Sequence, residues 1–158
     1  MKRTLQQTAW AASFSTAAGL SRRGYDVTFT MGNTPRVDLL CAVPDGKQFK
    51  VQVKGISNAA GFYIQRRFFD PPTHNDLYLV VVLVPRPARA PQPEAEARDD
   101  ERPLRFFILT HKEAQEEFAS MPQKKMGPGE PGPGLNWGSI TPYENKWASF
   151  PERSRAEP

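Results

Sequence analysis

The apolar positions begin with a helical period. Leu5, Ala9, Ala12, Thr16 and Leu20 fall near one face of a helix over residues 4–22, a stripe suited to packing on a sheet. Thr4 can serve as N-cap, with Gln7 three residues on as the second half of a capping box. Arg22 and Arg23 suit the negative end of the helix, and Gly24 stops it. From Tyr25 to Met31 the period shortens to two, with Tyr25, Val27 and Phe29 alternating as in a strand. After a turn at 32–35, a second strand is expected over 36–43 and a third over 48–54. Pro44-Asp45-Gly46-Lys47 between them is a hairpin turn, which makes the pair antiparallel.

Residues 61–69 read as a fourth strand, stopped by Asp70-Pro71-Pro72. Leu77 to Val84 is apolar without alternation, as in a central strand covered on both faces. Leu104–Leu109 reads as a further strand. Thr110 then caps a short helix to about Ala119, with Glu113 in place for a second capping box. These elements fit one α/β domain over residues 1–150, a mixed central sheet built on an antiparallel hairpin and flanked by helices. The 16 prolines are about twice the usual share. Many lie in a mobile loop at 86–103 and in a Pro/Gly loop at 122–134. Trp137, Tyr143 and Trp147 are expected to dock on the core, as is Trp10. Glu144 and Lys146 read as a surface turn pair, and residues 151–158 as a frayed tail.

Composition narrows the function classes. The longest apolar run is strand-sized, so no membrane span is expected, and the N-terminus lacks the continuous apolar core of a signal peptide. The single cysteine, Cys41, sits in an apolar run and reads as a buried small hydrophobe. A cytoplasmic protein is the expectation. Two histidines and one cysteine, widely spread, make no zinc site, and no Gly-rich phosphate loop suggests a nucleotide cofactor. The net charge of +4 is unevenly spread: residues 1–70 hold ten Lys or Arg against four Asp or Glu, while 71–103 is net acidic. Such a basic half suits a phosphate backbone.

The chemistry concentrates on the hairpin. Gln52 and Lys54, two apart in a strand, share a face, while Val51 and Val53 point the other way into the core. Asp38 lies on the strand folded back alongside. A carboxylate, an amide oxygen and an ammonium can therefore meet at one end of the sheet. Magnesium takes hard oxygen ligands: Asp38 would supply the anionic one, and Gln52 and the Val53 carbonyl neutral ones. Lys54 would hold the attacking water or a phosphate oxygen.

Three segments carry a resemblance: Leu20-Ser21-Arg22-Arg23-Gly24-Tyr25-Asp26-Val27, Val37-Asp38-Leu39-Leu40 and Val51-Gln52-Val53-Lys54. Together they resemble the small PD-(D/E)xK endonuclease-like proteins, over roughly residues 5–110. The resemblance implies a restriction-endonuclease-like core: a helix, a hairpin-built sheet, a further helix and a last strand. It also implies Mg²⁺- or Mn²⁺-dependent hydrolysis of DNA phosphodiesters by a homodimer, since one such site cuts one strand. Asp38 takes the place of the motif aspartate, Gln52 the (D/E) position and Lys54 the motif lysine. The chain departs from the pattern in three ways. Pro35 precedes Asp38 by three places, Gln52 is neutral, and no acidic residue lies between Met1 and Tyr25 to supply a helix carboxylate. The alternative expectation is a catalytically weakened module of the same fold that binds DNA or a protein partner.

Candidate nucleic-acid contacts surround this centre. Gln65, Arg66 and Arg67, with Tyr63, Phe68 and Phe69, form a basic-aromatic stretch that can grip phosphates and stack on an unpaired base. Arg36, His74, Lys124 and Lys125 are further candidates, whereas His111, at the start of a helix, is expected to be structural.

Overall fold

The computed structural model describes residues 3–30, 37–44, 46–86, 102–121 and 134–152. Helix α1 spans Leu5–Ser21, and Thr4 and Gln7 form the expected capping box. Strands β1 (Asp26–Phe29), β2 (Leu39–Ala42) and β3 (Gln48–Ile56) make an antiparallel meander. Gly46, at φ +88°, occupies the left-handed conformation that the β2–β3 turn requires. A short strand, β4 (Phe62–Tyr63), precedes β5 (Leu77–Leu83), which runs parallel to β3. Strand β6 (Arg105–Thr110) returns antiparallel to β5 and leads into α2 (His111–Ser120). Strand β7 (Gly134–Leu135) pairs with β4, and α3 (Trp137–Ile140) follows. The main sheet has the order β1-β2-β3-β5-β6. The molecule is thus α/β, with a mixed five-stranded sheet flanked by helices.

The sheet buries its two faces unequally. On one face Ala12, Ala17 and Leu20 of α1 pack on Leu39, Cys41, Val51, Val53, Val80, Val82 and Ile108. Small helix residues allow close approach, and Gly55 is needed there: a Cβ at that position would lie 2.6 Å from the Thr8 carbonyl oxygen. On the other face Ile56, Leu79, Val81, Phe107 and Leu109 pack against Ile64, Phe68, Ala114, Leu135 and Ile140. Strand β5 feeds both clusters, which is why its sequence is apolar without alternation. The second cluster is centred on β5 and β6. On the β2 and β3 part of that face Leu40 is exposed, and Gln52 and Lys54 are only half-buried.

Several expectations are corrected. The helix stripe holds at Ala12, Thr16 and Leu20, but Leu5 is 91% exposed and Ala9 is also exposed. Trp10 is not a core residue, being 37% exposed. The strand expected over 61–69 is only Phe62–Tyr63, followed by a 3₁₀ turn at Arg66–Phe68. The turn lets Phe68 and Phe69 enter the second cluster while Arg66 and Arg67 remain in solvent, a division that continuous alternation does not give. The same turn stands where the resemblance implies a helix between β3 and β5. Gly134 belongs to β7 and not to a loop. The rest of the expected 122–134 loop, and most of the 86–103 loop, lie outside the described residues, as do 153–158.

The C-terminal segment docks as expected, through specific contacts. Trp147 lies against Gly19 of α1, with the Arg23 guanidinium 3.9 Å above its ring. The Tyr25 hydroxyl donates to the Pro151 carbonyl at 2.9 Å, so the chain is still anchored at that residue. Glu144 pairs with Arg105 and not with Lys146, which lies 3.9 Å from Glu113.

Candidate active site

The antiparallel ladder between β2 and β3 ends at Leu39 opposite Val51. Just beyond it, the Asp38 backbone is held on both sides. Its N–H donates to the Val51 carbonyl at 2.9 Å, and its carbonyl accepts from the Thr30 N–H at 3.0 Å. This fixes where the carboxylate points. Asp38 Oδ2 accepts from the Val53 N–H at 2.7 Å and from Gln52 Nε2 at 2.8 Å. The carboxylate thus takes over a backbone donor that would otherwise be left at the end of the ladder. In a strand, the N–H and C=O of one residue face the same edge, so the Val53 carbonyl lies on the Asp38 side too.

Gln52 and Lys54 share the sheet face, as the alternation predicts; Val51 and Val53 are buried beneath α1. Lys54 is half-buried beside Val81, its register partner on β5. It forms no hydrogen bond or ion pair among the described residues. Two strand positions rise about 7 Å, so Lys54 stands one side chain beyond Gln52 without collapsing onto the carboxylate. Burial raises the Asp38 carboxyl above its ordinary value, and the Val53 hydrogen bond partly opposes that rise. Burial also lowers the Lys54 ammonium below the usual lysine value. Both shifts mark charged groups that have lost water without gaining a partner of opposite sign among the described residues.

The donor set is made of oxygens. Asp38 contributes a carboxylate, Val53 a carbonyl, and Gln52 an amide whose oxygen is available once the amide turns. Such a set fits a hard divalent cation that keeps several waters, as Mg²⁺ does. Among the described residues no group of three His, Cys, Asp or Glu side chains is suited to hold a metal, so the fit rests on one carboxylate and neutral oxygens.

The other candidates are dispersed. Gln65, Arg66 and Arg67 are exposed around the 3₁₀ turn. The His74 backbone N–H donates to His111 Nδ1 at 2.9 Å, and the two rings lie 5.4 Å apart. Because His111 Nδ1 accepts, Nε2 carries the proton and donates to the Phe68 carbonyl at 2.5 Å. The fully buried His111 is therefore structural, as expected, and clamps the 3₁₀ turn to the loop before β5. That loop enters β5 beside Lys50, four residues and about 13 Å along β3 from Lys54. Arg36, Lys124 and Lys125 lie outside the described residues. Lys50, on the same face as Gln52, was not singled out in the sequence and is ion-paired with Asp76 at 2.8 Å. Cys41 is buried, with its thiol pushed up to about 12, and is chemically inert there.

No protein-family model, curated protein or solved structure matches the chain. Among the described residues no helix is long and apolar enough to cross a membrane.

Proposed function

We propose that this chain is a metal-dependent endonuclease that hydrolyses DNA phosphodiester bonds, with a restriction-endonuclease-like core in the QxK form of the PD-(D/E)xK pattern. The observation that carries the reading is the meeting of Asp38 with Gln52 and Val53 at the end of the β2–β3 ladder, with Lys54, unpaired among the described residues, on the same side of the sheet as Gln52. Asp38, Gln52 and the Val53 carbonyl would hold Mg²⁺ or Mn²⁺. The ion, when bound, supplies Lewis acidity and a more acidic coordinated water.

The chain's own residues do the rest. Asp38 is anchored through its backbone on two strands, so its carboxylate is positioned before any ligand arrives. A cation would supply the positive charge that its buried carboxylate lacks. Lys54 presents an ammonium, without a partner among the described residues, that would take a phosphate oxygen or orient the attacking water. Partial burial strengthens that interaction relative to one in bulk water. Arg66 and Arg67, with Gln65, are proposed backbone contacts, and Arg36, His74, Lys124 and Lys125 remain part of the proposed DNA surface. One such centre cuts one strand, so the active species is proposed to be a homodimer.

The neutral Gln52, and the absence among the described residues of any group of three His, Cys, Asp or Glu side chains suited to hold a metal, favour a second reading, a DNA-binding module with weakened catalysis. One experiment separates the two. Plasmid, single-stranded and branched DNA are incubated with Mg²⁺ or Mn²⁺ and the wild type, Asp38→Ala or Lys54→Ala. The expected result is cleavage by the wild type and a loss of about 100-fold or more in each variant. Salt-dependent binding without cleavage on any substrate supports the module. Neither binding nor cleavage rejects both, and cleavage that survives both substitutions rejects the assigned centre.

A further inference from the structure

We infer that the outer face of α1 and the free edge of β1 form an interface for a second copy of this chain. The inner side of α1 is accounted for, since Thr8, Ala12, Thr16, Ala17 and Leu20 are buried against the sheet. A helix on a protein surface ordinarily carries charge on its other side. This helix has no charged residue from Leu5 to Ser21, and its outer side exposes large apolar groups. Phe14 is 57% exposed and Trp10 37%.

These two aromatics begin a continuous ridge. Trp10 and Phe14, one helical turn apart, stack with ring centroids 5.3 Å apart and 22° between planes. Phe14 in turn meets Phe29 of β1 at 5.2 Å. The ridge therefore runs from the helix onto the edge strand of the main sheet. Among the described residues β1 has one neighbour, β2, and its outer edge is unpaired. Unpaired strand edges and contiguous apolar surface are the two features that soluble proteins usually cover.

The chemistry of the patch selects the occupant. A nucleic acid would require cations, and the helix offers none along its length. A peripheral membrane helix would carry Lys or Arg along a polar face, which α1 also lacks. A two-fold dimer instead requires a surface complementary to itself. An apolar uncharged ridge meets its own copy without like-charge repulsion, and a strand edge pairs with its own copy antiparallel. With the axis between Val27 and Thr28, Asp26 falls opposite the partner subunit's Phe29 and not opposite another carboxylate.

The available area sets the strength. A helix of 17 residues is about 25 Å long and about 10 Å across, so its outer face offers roughly 250 Å². The four-residue edge adds main-chain hydrogen bonds more than area. This is well below the ~800 Å² per partner of a standard interface, so the dimer is reversible and concentration-dependent. An axis perpendicular to the sheet leaves both Asp38–Gln52–Lys54 faces on one side. Three to five strand spacings separate them, about 14–24 Å. Only that last consequence rests on the nuclease reading; the interface itself does not.

Sedimentation of the 158-residue chain over a range of concentrations tests the inference. The expected mass rises from 17.8 kDa toward twice that value as concentration increases. Phe14→Glu should weaken association by about tenfold or more while leaving the far-ultraviolet circular dichroism unchanged. Trp10→Glu, at the partly exposed ring stacked on Phe14, should weaken association as well; it decides the matter if Phe14→Glu fails to fold. A wild type that stays monomeric at every concentration overturns the inference. So does association unchanged in a folded variant, or a monomer that binds neutral lipid vesicles through Phe14. Cleavage is measured separately, so failure of the interface and failure of the nuclease reading are distinguishable.

Discussion

Gln52 Nε2 donates to Asp38 Oδ2 at 2.8 Å, across the point where β2 and β3 part. The amide N–H lies where a cation would otherwise neutralise the carboxylate. In the absence of metal this neutral residue stabilises the buried acid by a hydrogen bond, which a second carboxylate would not do.

Gln52→Glu should therefore reveal whether these oxygens form a metal site. In EDTA the variant places two carboxylates in contact and is expected to lose about 1–3 kcal/mol of stability. Millimolar Mg²⁺ should restore its melting temperature, while the wild type responds less. Thermal denaturation with and without Mg²⁺ measures this. A variant destabilised equally in both buffers would exclude Asp38 and residue 52 as joint ligands.

Lys54→Met should stabilise the protein and abolish cleavage. Burial holds the Lys54 ammonium below its ordinary value of 10.5. Its charged form thus opposes folding at pH values below the lowered folded-state value. The gain in melting temperature should be full at neutral pH and should fade as pH rises through that value toward 10.5. A drop in stability at neutral pH would show that Lys54 has a structural partner.

Asp38→Asn should change the pH dependence in the opposite part of the scale. The folded-state Asp38 carboxyl is raised above 3.8, so the folded protein holds this proton more tightly than the unfolded chain. Its contribution to stability is fully present below 3.8 and is lost as pH rises through the raised value. In metal-free buffer the stability of wild type relative to Asp38→Asn should therefore decline as pH rises from about that value toward neutrality. Melting curves from acid to neutral pH check this, and a flat difference would contradict it.

Arg105→Ala should loosen the C-terminal segment. Arg105 forms a two-pronged pair with Glu144, at 2.7 and 2.6 Å, and its guanidinium lies 5.1 Å from the Trp137 ring. Both side chains are about a third or more exposed, so solvent screens the pair, and the expected cost is about 1–2 kcal/mol. Arg105 holds the Glu144 carboxyl below its ordinary 4.5. That contribution is present above 4.5 and is lost as pH falls through the lowered value. Denaturant titrations of wild type and variant should converge in acid.

How much was legible in the sequence depends on the range of the interaction. Both capping boxes, Thr4 with Gln7 and Thr110 with Glu113, were readable because each is complete within four residues. The shared face of Gln52 and Lys54 followed from strand alternation, and the continuous run in β5 from burial on both sides. That Asp38 would meet Gln52 was a matter of hairpin register, which the turn constrains but does not fix. The tertiary structure decided that register through Thr30, Val51 and Val53. It also decided that Phe68 and Phe69 turn inward, because a 3₁₀ turn clamped by His111 replaces the strand that local propensity suggests. The stripe on α1 likewise marked Ala12, Thr16 and Leu20 as the side that faces the sheet, but not that Leu5 and Ala9 on that stripe would stay exposed. By itself the sequence determined the elements, the caps and the alternation, because these depend on neighbours along the chain. How much of the α1 stripe is covered, and whether a carboxylate meets an amide across two strands, depended on packing between residues far apart in sequence.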